Sequence, residues 1–455
     1  MIQERLARYA TSLAEAEPPA EVAAAARRVI IDWFAAVLAG GVQPPATLLI
    51  EALAAEELGR GRAVLYPGGL RAPLRSAALI NGAASHTLEV DDIYRHGLYH
   101  PGTVVIPAAL AAAQARGADG WRFLRAVIAG YEVSNRIAVA VTPAHYAFWH
   151  TTATVGHFGA AAAVAAILGL DAERAAHALA NAATMAAGLQ QAFRSDAMSK
   201  PLHAGQAAAN GALAALAAEA GVSGAARMLE GAAGFGAAMS EDPDWEAALA
   251  DLGRVYTILD TTQKVHAACG HAHAAIDAML VLRARHGLTP GEVKRVTVGI
   301  YRAALEITGN PSPVSAFEAK FSTPYCVSVA LAAGQVRGAA FGERWLGDGE
   351  LRALLGRVEL TLDAEAEAAF PERRGAVVEV ETVSGERLTE RRHTRKGDPD
   401  DPLSETELVD KFHELTDPVI GRGAGEVLLA ALGKLEGLGD MAALPFTARR
   451  PIAAD

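Results

Sequence analysis

Over roughly the first 260 residues, apolar and polar positions recur with a helical period, punctuated by Pro, Gly and Asp, and the pattern reads as helix after helix. Glu21 to Leu38 follows Pro18 and Pro19 and meets a stop signal at Gly40 and Gly41. Asp119 predicts the N-cap of a helix running to Val141, ahead of Pro143, and Asp171 predicts another for AERAAHALANAATMAAG. Ser223 is expected to open a further short helix over GAARMLEG. The high alanine content raises helix propensity throughout this part.

Between about 290 and 395 the period changes. VKRVTVGIY, GRVELTLD and AVVEVETV carry β-branched or alternating patterns, and SGE at 384–386 predicts a hairpin turn into RLTERRHT. From Ser404 the helical pattern returns, with Ser404 and Glu407 spaced for a capping box, and DPDDP at 398–402 is the expected linker. The predicted fold is mainly α with an α+β part. A large all-helical domain is formed from both chain ends, 1–262 and 398–455, and a smaller α+β lid domain spans 263–397.

Composition changes this picture in three places. From Ile137 to Leu170 no Asp, Glu, Lys or Arg occurs, which raises the question of a membrane span. Pro143, Gly156, three histidines (His145, His150, His157) and the dominance of alanine argue instead for a buried central helix or a subunit interface. A net charge of −11 without any basic block excludes a phosphate-backbone partner, so no nucleic acid and no membrane are expected as partners. A small acidic substrate fits, because a local basic pocket can sit inside an acidic protein. The two cysteines, Cys269 and Cys326, cannot build a disulfide framework, an iron–sulfur cluster or a four-cysteine zinc site, and with an N-terminus lacking a secretory pattern they point to the cytoplasm.

Five segments carry candidate chemistry. Glu89 to Pro101, EVDDIYRHGLYHP, sets three carboxylates beside His96 and His100 in an interhelical loop; Asp91 or Asp92 capping a helix, with surface histidines, is the simpler alternative. FWHTTATVGHFG places His150 before Thr151, Thr152 and Thr154 at a predicted helix start, a natural carboxylate site or a plain threonine cap. RSDAMSKPLHAG, from Arg194, sets Lys200 and His203 at the mouth of an apolar helix, where partial desolvation would suit the lysine to act as a base or to bind a substrate carboxylate; an exposed loop lysine is the simpler alternative. QKVHAACGHAHAAID gathers Lys264, His266, Cys269, His271 and His273, but no HExxH or CxxC completes a metal set, so no metal is expected. EAKFSTPY adds Lys320, Ser322 and Tyr325, the last equally readable as a buried aromatic with a satisfied hydroxyl. Walker A, GxGxxG-after-strand and GxSxG patterns are absent, and the remaining inventory of His, Lys, Tyr and Asp suits proton transfer.

Taken in order, NGAASHTLEVDD with HPGTVVIPAALA, GYEVSNRIA, FWHTTATVGHFGAAAAVAAILGLD, SKPLHAGQAAANG, the Lys264–Asp277 stretch and KFSTPYCVSVAL resemble the MmgE/PrpD superfamily, which includes 2-methylcitrate dehydratase, cis-aconitate decarboxylase and iminodisuccinate epimerase. The resemblance spans residues 81 to 331. It implies a helical domain from both chain ends, an α+β lid with the active site between them, a homodimer, and cofactor-independent chemistry on a small di- or tricarboxylate. Carried over by residue, the catalytic set would be His100, His150, Lys200, Lys264 and Tyr325, with Asp92, Thr151, His203 and His273 contacting substrate. Where cis-aconitate decarboxylases resemble one another by an Asp, a Thr and a His, this chain has Glu89, Ile93 and Cys269. The shared difficult step would be a carbanion formed beside a carboxylate. The implied activity is a lyase of dehydratase type; an epimerase, a decarboxylase and a non-catalytic carboxylate-binding protein are the alternatives.

Overall fold

The computed structural model describes residues 1–55, 58–193 and 195–446; Arg194 and the end of the chain from 447, both within the segments read above, lie outside the described residues. Among the described residues the chain is mainly α-helical with one small mixed sheet and two short strand pairs. It divides into two compact units. The first comprises Met1–Thr87, Asp91–Thr261 and Ser404–Asp455, and the second Leu88–Val90 with Thr262–Leu403.

In the first unit the helix boundaries follow local chemistry. Gly120–Val141 starts where the Asp119 carboxylate accepts from Arg122 N at 2.7 Å, and Ala172–Ala183 where Asp171 accepts from Arg174 N at 2.8 Å. Ser404 and Glu407 form the reciprocal capping box that opens Glu405–Ile420. The helices Gly102–Arg116 and Gly156–Leu168 are buried around almost their whole circumference, which explains their lack of a polar face. By length and composition residues 151–168 are apolar enough to cross a membrane, yet 94% of that stretch is buried inside the protein.

Small residues make this dense packing possible. A Cβ on Gly205 would lie 2.1 Å from the Leu79 carbonyl oxygen, and one on Gly82 would lie 2.9 Å from Gly205 Cα. The helices Leu74–Ser85 and Ser199–Glu219 therefore cross in backbone contact. That crossing sets His86, at the end of the first, beside the start of the second, which carries Lys200 and His203.

The expected helix after Ser223 does not form; residues 222–225 are irregular and 226–230 are turns. The segment is short and flanked by Gly221 and Gly231, Arg227 takes φ +55°, and Gln3 captures its backbone, donating to Ala225 O at 3.0 Å and accepting from Met228 N at 2.7 Å. A run this brief cannot repay helix nucleation against those bonds. At the other end of the unit, Glu405–Ile420 packs on Ala20–Gly40, and Lys411 Nζ lies 2.5 Å from Asp32 Oδ1 with both side chains buried.

The second unit is built on a four-stranded sheet in the order Val358–Leu362, Val293–Ile300, Ala376–Thr382, Arg387–Arg392. The first pair is parallel, with Val298 opposite Leu360, and the others antiparallel, with Val298 opposite Val378 and Val380 opposite Leu388. Gly385, at φ +89°, closes the predicted hairpin, where Thr382 N donates to Glu386 O. Val296, Val298, Val378 and Val380 are buried, and His273–His286 packs against the last two strands and the helix Thr323–Ala333. The DPDDP run is no loose tether: Asp398 is buried against the Arg395 guanidinium at 2.6 Å and accepts from Thr262 Oγ1 at 2.6 Å.

Candidate active site

The loop that leaves Leu74–Ser85 is buried and conformationally unusual. Glu89 and Leu98, two of the three non-glycine residues with positive φ among the described residues, bracket its centre at +60° and +50°. Such backbone costs on the order of 1–3 kcal/mol per residue and persists where surrounding contacts enforce it. His96 and Arg95 meet the carboxylate of Asp260, while Tyr94 N donates to Tyr99 O at 2.7 Å, folding 94–99 back on itself.

Asp92 sits inside this fold, 3% exposed. Its Oδ2 accepts from the Tyr131 hydroxyl at 2.6 Å and its Oδ1 from Gly102 N at 2.9 Å, so it caps the helix Gly102–Arg116 from ten residues upstream. Burial pushes its pKa up to about 7 against those two hydrogen bonds. The simpler sequence alternative, a capping aspartate, describes this carboxylate. His100 follows, its Nδ1 2.8 Å from the Asp92 carbonyl oxygen and 2.8 Å from Asp91 Oδ2. The same Asp91 oxygen lies 2.9 Å from His86 Nδ1.

His150 is the N-cap residue of the helical turn Thr151–Thr154. Its ring stacks on His86 at 5.6 Å between centroids and 12° between planes, and its edge meets Phe193 at 4.8 Å. Its Nδ1 faces His203 Nδ1 at 3.2 Å. Two protonated nitrogens cannot face each other at that distance, so the pair shares one proton. Burial accordingly lowers both pKa values, with His86 and Lys200 adding to the effect, His150 well below the usual value and His203 to about 4. Lys200 is 4% exposed on the first turn of Ser199–Glu219, with Nζ 5.6 Å from the centre of the Phe193 ring. His150 Nε2 and Thr151 Oγ1 are buried and have no hydrogen-bond partner among the described residues. A cavity of about 460 Å³ reaches this cluster, lined by Gly188, Leu189, Gln191, Ser199, His203 and Gln206.

The remaining predicted residues belong to the second unit. Lys264, fully buried, places Nζ 3.0 Å from Glu89 Oε2. His273 Nε2 lies 3.1 Å from Ala268 O, and burial holds its pKa well below the usual value. His266 pairs with Asp277 at 2.8 Å, and His271 Nδ1 meets the Tyr301 hydroxyl at 2.6 Å. Tyr325 donates its hydroxyl to Ala340 O at 2.8 Å, and burial raises its pKa. That is the buried aromatic with a satisfied hydroxyl that the sequence left open, and a transfer role for Tyr325 requires this hydrogen bond to break.

Residues 4–248 match the model of the MmgE/PrpD N-terminal domain and residues 266–436 that of the MmgE/PrpD C-terminal domain. The chain belongs to the MmgE/PrpD family. Among curated relatives, it is 29% identical over 394 residues to cis-aconitate decarboxylase of Homo sapiens, covering 84% of this chain and 81% of that protein. It is 26% identical over 447 residues to the cis-aconitate decarboxylase-like protein oryM of Aspergillus oryzae, covering 92% and 91%. It is 27% identical over 365 residues to cis-aconitate decarboxylase of Aspergillus terreus, covering 75% and 74%. Together with the family match, these relatives support an enzyme of lyase type acting on a carboxylate.

Within this MmgE/PrpD chain, the first unit brings together His100, His150, Thr151, Lys200 and His203 around two residues not singled out as site residues, His86 and Asp91. A histidine ending an alanine-rich helix is an ordinary C-terminal residue, so His86 carries no local signal. Its spacing of five residues from Asp91 acquires meaning only when the loop turns back on itself.

Proposed function

We propose that the first unit's His–Lys cluster is the centre of a cofactor-independent MmgE/PrpD lyase that forms a carbanion beside a carboxylate of a small di- or tricarboxylate. The observation that carries this reading is the buried imidazole of His150 and the half-buried one of His203, both held neutral beside buried Lys200, with His150 Nε2 and Thr151 Oγ1 unpartnered among the described residues. A desolvated ammonium and neutral N–H donors stabilise the charge that develops on carboxylate oxygens as the carbon loses its proton. A neutral imidazole is the form that accepts that proton.

A base, His100 or else Lys200 in its neutral amine form, takes the proton beside the carboxylate, and the bonding pair moves into an enolate-like carboxylate. In dehydration the pair returns to form the double bond as hydroxide leaves, protonated to water by a second group. In decarboxylation the pair comes instead from the carbon–carbon bond that releases carbon dioxide, and an acid protonates the carbon. Reprotonation on the opposite face would give an epimerase.

Dehydration is the reading retained from the sequence, and the named relatives favour cis-aconitate as a substrate or product to be tried first. Glu89, where the decarboxylases resemble one another by an aspartate, is engaged with Lys264, so the decarboxylation reading must accommodate that ion pair. Incubation with citrate, 2-methylcitrate, cis-aconitate and iminodisuccinate, followed by proton NMR of products, tests the proposal. Water loss or gain on one of the tricarboxylates is the expected result. Carbon dioxide release would select decarboxylation, and inversion without elimination the epimerase; no conversion of any of the four would sink the reading.

A further inference from the structure

We propose that Asp91 is a positioning residue that, with the main-chain carbonyl of Asp92, holds His100 in the Nδ1–H tautomer and so presents Nε2 as the proton acceptor. A carbonyl oxygen only accepts, so the 2.8 Å contact between His100 Nδ1 and Asp92 O requires a hydrogen on Nδ1. Asp91 Oδ2, 2.8 Å from the same nitrogen, supports that N–H from a second side. In neutral imidazole the other nitrogen then carries the lone pair.

Asp91 is itself braced. His86 Nδ1 lies 2.9 Å from the same carboxylate oxygen, and the His86 ring packs edge-on to His100 at 4.9 Å and stacked on His150 at 5.6 Å. His100 N donates to Thr152 Oγ1 at 3.2 Å and Thr103 Oγ1 to His100 O at 3.0 Å, fixing the main chain on either side of the ring. His86, Asp91 and His100 also offer ligand atoms within 4.8 Å of one another, as a metal site would. The Asp92 carbonyl decides against that use of Nδ1, because a nitrogen that carries a hydrogen has no lone pair for a cation.

Asp91 would act a second time when His100 becomes imidazolium, since its carboxylate offsets the new charge in a water-poor site. The proton balance is simple: the substrate C–H bond breaks, its proton goes to His100 Nε2, and no other reagent is consumed. The role of Nε2 rests on the carbanion reading; the tautomer does not.

The test separates the two. Long-range ¹H–¹⁵N correlation on the full-length protein with ¹⁵N-labelled histidine, without substrate, and with His100→Gln to assign the signal, is expected to show His100 Nδ1 protonated and Nε2 with a lone pair. Asp91→Ala, which leaves the Asp92 carbonyl as the remaining acceptor of the pair, is expected to raise the share of the Nε2–H tautomer above the wild-type level and to lower kcat by roughly tenfold to a hundredfold with KM within about threefold, while Asp91→Asn, which keeps an acceptor, retains the tautomer and part of the rate. A wild-type His100 protonated at Nε2, or nitrogen shifts diagnostic of a bound divalent cation, would overturn the proposal. Unchanged tautomers in Asp91→Ala would do the same. Should Asp91→Ala not fold, the wild-type and Asp91→Asn spectra still decide. A correct tautomer with no turnover of any carboxylate would leave Asp91 in place and remove the carbanion reading alone.

Discussion

Lys200→Ala is expected to lower kcat/KM by at least roughly a hundredfold, the scale of a lost general acid, base or charge-stabilising group. Placing an ammonium on the first turn of a helix opposes the helix dipole, and burying it to 4% exposure removes most of its hydration. Both terms oppose folding, and the contact with Phe193 offsets about 0.5–2 kcal/mol of that cost. The expected role for this cation is to meet a substrate carboxylate during turnover. The neutral state of His150 and His203 belongs to the same logic, since Lys200 is among the charges that lower their pKa values. Steady-state kinetics on the substrate identified by NMR checks the expectation. A loss under about threefold would take Lys200 out of the mechanism.

The second large effect concerns stability. Lys411→Ala is expected to destabilise the first unit by about 3–5 kcal/mol, because it strands the Asp32 carboxylate in the interior. Asp32 is 1% exposed, burial raises its pKa even with Lys411 at 2.5 Å, and the charge of Asp91 pushes it in the same direction. The pair joins the helix Ala20–Gly40 to Glu405–Ile420, so it fastens the C-terminal segment to the N-terminal one within the unit. Replacing both partners, Asp32→Leu with Lys411→Met, is expected to recover most of the loss, since two apolar side chains leave no stranded charge. Denaturant unfolding of the two variants beside the parent measures this. A single variant as stable as the parent would show that the pair contributes nothing.

Much of this architecture was legible because its signals are local. Asp119, Asp171 and the Ser404–Glu407 pair cap the helices they were expected to cap, and the alternation in VKRVTVGIY and AVVEVETV marks two strands of one sheet. Ser223 had a cap-like residue but too few residues behind it, and Gln3, more than 200 positions away, claimed its backbone. The site divides in the same way. His150, Lys200 and His203 stand next to helix starts, where their types were conspicuous. Asp92 was visible as an acid, but its partners Tyr131 and Gly102 come from the next helices in the chain, so its capping role needed the fold. Tyr325 depended on a carbonyl fifteen residues away. His86 and Asp91 became neighbours of His100 only through the buried loop and its two positive-φ residues, Glu89 and Leu98.

Carbanion formation beside the carboxylate is measured by exchange of that carbon's proton with solvent. Each candidate carboxylate would be brought to equilibrium with the enzyme in heavy water, alongside a protein-free control and the Lys200→Ala variant, and followed by proton NMR. Deuterium is expected at the carbon beside a carboxylate, above the control and at least roughly a hundredfold slower in Lys200→Ala. Turnover that reaches equilibrium without deuterium at that carbon would contradict carbanion formation.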